Sequence, residues 1–350
     1  MVRSLRRAFR DEATGMGLKV PGIYAVLVGA NVLAWLWAVL AFERYPLLLG
    51  TALLAYSFGL RHAVDADHIA AIDNVTRKLM QEGKQPVTAG FFFSLGHSTV
   101  VVLAAAGIAV TAGMLQNRFE AFKQVGGLIG TSVSAFFLFA VAVANIFILV
   151  SVYQSFRELR RSGRFAEREL DLFLAKRGLL ARVFGRLFRI VDKSWHMYPL
   201  GLLFGLGFDT ATEIGLLGIS AAEASKGLPI WSIMVFPALF TAGMSLVDTT
   251  DSVLMVGAYG WAFVKPVRKL YYNMTVTSVS VLVALVIGGI EVLGLVADQL
   301  SLEGAFWNTV GVLNDNFGTL GYVIIGIFAV SWLVSMAIYR LKKYDEIEVA

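Results

Sequence analysis

Long apolar runs alternate with short polar connections along the whole chain. Eight runs, at about 21–42, 47–73, 87–113, 124–150, 198–221, 230–258, 272–296 and 319–341, approach the roughly 20 residues that a helix needs to cross a bilayer. The pattern predicts an all-α polytopic membrane protein, with one transmembrane domain over residues 1–350 and eight membrane-spanning helices. The first run follows a basic stretch, as the apolar part of a signal peptide would. No small-x-small cleavage pattern closes it, so it reads as an uncleaved span. Residues 151–197 form the one long connection. There Leu180, Phe184, Leu187 and Val191 recur at helical spacing against Arg182, Arg186 and Arg189. That spacing predicts an amphipathic helix on the anionic inner leaflet, with a solvated basic linker as the alternative.

Charge orients these spans. Of the 30 Lys and Arg residues, 25 lie in the N-terminal segment, the second, fourth and sixth connections and the C-terminal segment. The opposite side has Arg44, Arg118, Lys123 and Lys226, and Arg61 falls within a span. The positive-inside rule then places both termini on the cytoplasmic side of the cell membrane. Composition agrees: 16% of residues are charged, against roughly 25% in a soluble domain. The net charge of +5 does not point to nucleic acid, because the basic residues collect along one membrane face. The chain has no cysteine, so any metal it binds is held by nitrogen and oxygen.

Against this apolar background, Arg61-His62-Ala63-Val64-Asp65-Ala66-Asp67-His68-Ile69 stands out in the second span. An ionisable side chain at the centre of a membrane helix costs about 2.5–3.5 kcal/mol on insertion scales. Imidazoles beside carboxylates offer a compensating partner, a divalent transition metal. On an ideal helix His62, Asp65 and His68 form one stripe and Asp67 points elsewhere. His62 and His68 are then about 9 Å apart along the axis, too far to chelate one ion. Either the span unwinds near Gly59–Asp67, or the two histidines serve successive positions on a path. Asp65 is spaced to fix the tautomer of either. The competing reading is a structural salt-bridge network centred on Arg61.

Other spans repeat the theme. His97 lies between the small residues Gly96 and Ser98, Asp209 and Glu213 are at i and i+4, and Asp248 and Asp251 are at i and i+3. At about 1.5 Å per residue, these groups fall in the middle half of a roughly 30 Å core. The candidate metal set is therefore His62, Asp65, Asp67, His68, His97, Asp209, Glu213, Asp248 and Asp251. Asn31 and Asn145 read as interhelical hydrogen bonds and His196 as incidental at the membrane edge. Two stretches also echo each other. Phe58-Gly59-Leu60 corresponds to Phe204-Gly205-Leu206, and Phe93 to Ser98 corresponds to Phe240 to Ser245. An offset of three spans reverses direction, so spans two and three against five and six predict an inverted repeat with substrate held at its interface.

Several classes fall away. No Gly-x4-Gly-Lys-[Ser/Thr] loop and no His-Glu-x-x-His motif occurs, and only 4 histidines exist, too few for a multi-histidine di-iron centre. An embedded metalloenzyme is therefore disfavoured, and neither a prosthetic group nor an ATPase subunit is implied. A divalent cation entering at −100 mV gains roughly 4.6 kcal/mol, which supports accumulation without nucleotide hydrolysis.

Four blocks together resemble the nickel/cobalt transporter family, the NiCoT permeases. They are the His62-x4-Asp67-His68 segment, Phe92 to Val101 around His97, Leu206 to Ile214 with Asp209 and Glu213, and Gly243 to Asp251 with Asp248. They occur in the family's order, and the similarity covers about 20–340. The resemblance implies an eight-span, single-component secondary permease that takes up Ni²⁺, Co²⁺ or both, with His62, Asp67 and His68 central. A role for Asp67 favours a distorted second span. Related efflux proteins carry a histidine-rich cytoplasmic loop, whereas 151–197 holds only His196, so uptake is preferred. Export, or passage of Zn²⁺ or Mn²⁺, is the alternative.

Overall fold

The structure is a computed structural model that describes residues 16–110, 191–206, 211–262 and 266–341, with part of 128–157. The described residues are helical and contain no strand. In chain order the helices are α1 (Met16–Ala41), α2 (Leu48–His62), α3 (Ala66–Gln81), α4 (Ala89–Val110) and α5 (Thr131–Ala140). After a short 3-10 turn at Ser194–His196 follow α6 (Met197–Phe204), α7 (Ala211–Ser225), α8 (Ile230–Ile233) and α9 (Val235–Ala262). The chain ends with α10 (Pro266–Leu300), α11 (Ala305–Asp315) and α12 (Phe317–Leu341).

Among the described residues, five helical stretches are long and apolar enough to cross a membrane: Lys19–Ala41, Ala89–Val110, Ile230–Gly260, Met274–Leu300 and Thr319–Tyr339. The second predicted span falls outside that group because it is broken. α2 stops at His62, α3 starts at Ala66, and neither half is long enough alone. The fifth also stops early: α6 ends at Phe204 and the chain turns at 205–206, with α7 described from Ala211 onwards. The fourth is described only in part. The amphipathic helix expected within 151–197 lies outside the described residues for most of its length. α11 lies in the connection between the last two predicted spans, to which the hydropathy pattern assigns no element.

Polarity is arranged as a lipid solvent requires. Leu33, Leu40, Leu103, Leu254 and Leu282 are more than 60% exposed, while His62, His68, His97, Asp73, Glu213 and Asp248 are at most 2% exposed. In water that distribution would be costly; in hydrocarbon the exposed leucines cost nothing and the polar groups must be inward. α9 is the central element and packs against α1, α2, α3 and α4. Its Phe236, Leu239, Phe240 and Met244 join Ala34 and Ala38 of α1, Phe42 just beyond it, and Ala52 and Ala55 of α2 in one core. A second core joins Ile69 and Ala70 of α3 to Leu138 of α5, Ile287 of α10 and Ile324 of α12.

Absent side chains make the closest crossings. A Cβ on Gly59 of α2 would overlap the Phe240 carbonyl of α9, and one on Gly96 of α4 would overlap the Tyr198 carbonyl of α6. Gly205, at the end of α6, abuts the His97 backbone in the same way. Where apolar burial gives helices no preference for each other over lipid, such contacts and buried hydrogen bonds supply the attraction. Two such bonds join α4 to α9: Gly90 donates its N–H to Ser252 Oγ at 2.7 Å, and Ser94 Oγ donates to Ser245 Oγ at 3.0 Å. Asn31 donates to the Ala242 carbonyl at 3.3 Å, the interhelical role expected of it.

Gly59→Ala is expected to destabilise the fold by about 1–3 kcal/mol through overpacking. Gly29→Ala on α1, where a Cβ meets nothing within 4 Å, is the neutral control. Thermal unfolding of the two purified variants in detergent, followed by size exclusion, checks the difference.

Candidate metal site

The site begins with the break in the second span. Beyond His62 the chain closes in tight turns: Ala63 N–H bonds the Gly59 carbonyl at 3.3 Å, Val64 N–H that of Arg61 at 3.0 Å and Asp65 N–H that of His62 at 2.9 Å. Asp65 is extended, at φ −64° and ψ 147°, and stands at the cap position of α3. Non-helical backbone at membrane depth persists only where protein covers it. Ala63 and Asp65 are each 3% exposed, and Gly321 of α12 leaves room for the Val64 carbonyl where a Cβ would collide.

The turn folds the two histidines of one span onto each other. The His62 and His68 rings are 4.7 Å apart between centroids, and His97 of α4 lies 4.7 Å from the first and 4.9 Å from the second. One ring nitrogen from each of His62, His68 and His97 can be chosen so that all lie within 4.8 Å of one another. Of the two alternatives left open by the helical wheel, the unwound span is the one observed.

Carboxylates order the rings. Asp65 does not cap α3 with its side chain; its Oδ2 lies 2.9 Å from His62 Nδ1, and Thr212 Oγ1 is 3.3 Å from the same nitrogen. An Nδ1–H donated to Asp65 turns the lone pair of Nε2 towards the other histidines. His62 Nε2 and His97 Nε2 face each other at 2.9 Å, and Glu213 Oε1 lies 2.8 Å from His97 Nε2 and 3.8 Å from His62 Nε2. His68 Nδ1 lies 3.4 Å from Asp248 Oδ1, while His68 Nε2 and His97 Nδ1 have no hydrogen-bond partner. Buried polar atoms are rarely left unpaired without cause. Three imidazoles and Glu213 converging with unspent nitrogen lone pairs match the donor set that borderline divalent metals prefer.

The remaining predicted residues are placed as follows. Asp67, half-buried in the first turn of α3, is within electrostatic reach of all three imidazoles. Asp251 lies one turn beyond Asp248 on α9, with one buried carboxylate oxygen unpartnered. Asp209 lies outside the described residues. Arg61 is exposed and makes no ion pair within 4.0 Å among the described residues, so the salt-bridge network centred on it is not found there. His196 pairs with Asp192 at 3.0 Å, away from the site. Asn145 donates to Asn74 at 2.7 Å, an interhelical bond as expected.

Sequence reasoning missed Thr212, although it lies beside Glu213. It also missed Asp73, Asn74 and Arg77 of α3, which are buried with Tyr259, Thr277 and Ser280. The signal was available: Asp73 closes the second predicted span, and Asn74 and Arg77 follow it within four positions in the stretch that reads as the cytoplasmic connection.

Broken helices around a buried cluster of histidines and carboxylates, in a multi-pass membrane protein, define an intramembrane cation-handling class. Within that class the family is specific. The chain matches the NicO family model, described as high-affinity nickel-transport protein, over residues 48–338, and it belongs to that family. It is 64% identical over 331 residues to a high-affinity nickel transport protein of Cupriavidus necator, covering 95% of this chain and 94% of the other. It is 48% identical over 335 residues to the nickel transporter NicT of Mycobacterium tuberculosis, covering 93% and 89%. The cobalt transport protein NhlF of Rhodococcus rhodochrous is 41% identical over 298 residues, covering 84% of each chain. No solved structure matches the chain.

Asp65→Asn is expected to weaken Ni²⁺ binding by about 10–100-fold, the usual cost of losing a partner that orients a ligand histidine. Equilibrium binding of ⁶³Ni²⁺ to the purified variant checks this, and wild-type affinity would detach Asp65 from the site.

Proposed function

We propose that this chain is a single-component secondary permease that takes up Ni²⁺, Co²⁺ or both with high affinity across the cell membrane. The observation that carries the reading is the convergence of His62, His68 and His97 on one buried point, with Glu213 against them. Matches to nickel transporters and to a cobalt transporter supply the substrate class. His62, His68, His97 and Glu213 hold the ion; Asp65 and Asp248 orient two of the rings. Asp67, Asp209 and Asp251 add negative charge along its route. The metal is cargo, and the chemistry needs neither a prosthetic group nor catalysis, so the chain is read as a transporter without enzymatic activity.

The eight-span arrangement in a single domain, with both termini cytoplasmic, remains our topology. Residues 151–197 belong on the cytoplasmic face. We also read spans two and three as an inverted repeat of five and six. Its support is the reciprocity of the crossings: Gly59 and Gly243 join α2 to α9, while Gly205 and Gly96 join α6 to α4. Asp67 and Glu213 each occupy the first turn of the helix that follows an interruption. In such repeats the halves rock about a fixed midplane site, which gives alternating access without nucleotide hydrolysis.

Uptake of ⁶³Ni²⁺ and ⁵⁷Co²⁺ into cells at submicromolar metal, with Mg²⁺ in excess, tests this reading. His62→Ala or His68→Ala is expected to abolish saturable uptake while the protein stays in the membrane. Glu213→Gln is expected to raise the apparent KM by about tenfold or more. Wild-type flux in the His62→Ala variant would remove the histidine cluster from the pathway.

A further inference from the structure

The fourth predicted span and α10 form a wedge. Near one end they touch: Ser134 Oγ donates to Glu291 Oε1 at 2.7 Å, and a Cβ on Gly288 would stand 3.4 Å from the Leu138 Cβ. Leu138 and Ala142 pack there with Val283, Ala284 and Ile287 in one core. Towards the other end the two helices part around a cavity of about 630 Å³. Leu149, Val150 and Tyr153 line one wall at the i, i+1, i+4 spacing of a single helix face, and Met274 and Val279 of α10 line the other. The hydroxyls of that second wall are spent on their own helix. Thr275 Oγ1 donates to the Tyr271 carbonyl at 3.0 Å and Ser278 Oγ to the Met274 carbonyl at 2.9 Å. Both walls therefore present mostly carbon to the cleft.

The mouth of the cleft is polar and cationic. Gln154 and, a turn beyond Tyr153, Arg157 complete the first wall where the span runs into the 151–197 connection. Arg157 is exposed and makes no ion pair within 4.0 Å among the described residues. It is the first of eleven Lys and Arg residues in that connection. Tyr153, 54% exposed, stands between the carbon-lined cleft and this charge, as tyrosine does at a membrane interface. A cleft of this kind within hydrocarbon takes up an acyl chain, because an empty one forfeits the dispersion contacts of its walls. An uncompensated guanidinium at the mouth selects a lipid whose headgroup carries net negative charge, and it donates two hydrogen bonds to a phosphate at once.

We propose that this cleft is a binding site for an anionic phospholipid, with one acyl chain between the fourth span and α10 and the phosphate on Arg157 and Gln154. Both walls are tied to α3, the half-span that carries His68. Arg77 of α3 donates to Thr277 of α10 at 2.7 Å, and Asn145 of the fourth span donates to Asn74 of α3 at 2.7 Å. A lipid that fills the wedge braces these ties, and a ligand of the folded chain raises its unfolding temperature. The leaflet, resting on the topology proposed above, is the cytoplasmic one, whose anionic lipids meet the basic connections.

Native mass spectrometry of the purified full chain in detergent, with dioleoylphosphatidylglycerol or dioleoylphosphatidylcholine added, tests the proposal. Thermal unfolding in the same mixtures reports on folding. Neither readout uses a metal ion or a membrane orientation, so the result is independent of the permease reading and of its topology. The wild type is expected to retain one phosphatidylglycerol per chain where phosphatidylcholine is lost, and to unfold at a higher temperature with the former. Arg157→Gln is expected to lower the affinity for phosphatidylglycerol by about fivefold, the effect of one basic residue at an anionic surface. Arg160→Gln, from the same connection, is expected to bind as the wild type does. Val150→Trp, which fills the cleft and leaves Arg157 in place, is expected to lose the lipid while unfolding at the wild-type temperature in phosphatidylcholine. Equal affinity of the wild type for the two lipids overturns the proposal. Undiminished binding by Arg157→Gln, or an equal loss in Arg160→Gln, does so as well. Release of the lipid by an equal concentration of glycerol 3-phosphate would mark a site for the free anion, and a dimer that dissociates in Val150→Trp would give the cleft to a second copy; either result overturns the lipid assignment.

Discussion

The dependence of this structure on one constraint begins at Ala63–Asp65. A continuous second span would hold His62 and His68 almost two turns apart and aim Asp67 away from both. Interrupting it releases backbone groups that hydrocarbon cannot satisfy, so the turn exists only where other helices enclose it. Gly321 of α12 leaves space for the Val64 carbonyl, and Gly59 brings the end of α2 against α9. The site is therefore a product of helix packing around a turn.

The turn also settles how the charges are shared. Asp65 occupies a cap position but spends its side chain on His62, and Asp248 reaches His68 from another helix. Each carboxylate orients one ring, and Glu213 meets His97 on the side where the rings converge. Neutral imidazole is the form that binds metal, and fixing its tautomer from behind leaves the opposite nitrogen available. The unpartnered nitrogens of His68 and His97 sit in a region otherwise well supplied with hydrogen bonds. That contrast makes a cation the natural completion of the cluster.

Hydropathy alone determined the membrane class, the number of apolar runs and the residues that could not be there for packing, because ionisable groups in hydrocarbon are costly whatever their neighbours. His62, Asp65, His68, His97, Glu213 and Asp248 were all legible for that reason. The helical break was legible only as a conflict: the wheel set His62 too far from His68, and the family resemblance gave Asp67 a part the wheel denied it. Tertiary structure decided the rest. Periodicity along one helix says nothing of what a side chain meets on another, so the pairing of Asp248 with His68 had no trace in the chain. Nor did the hydrogen bonds that Tyr259 and Ser280 donate to Asp73 from more than 180 positions away. Arg61 reads as intramembrane by position, yet it is exposed, because on α2 it lies off the buried face that carries Ala52, Ala55, Gly59 and His62.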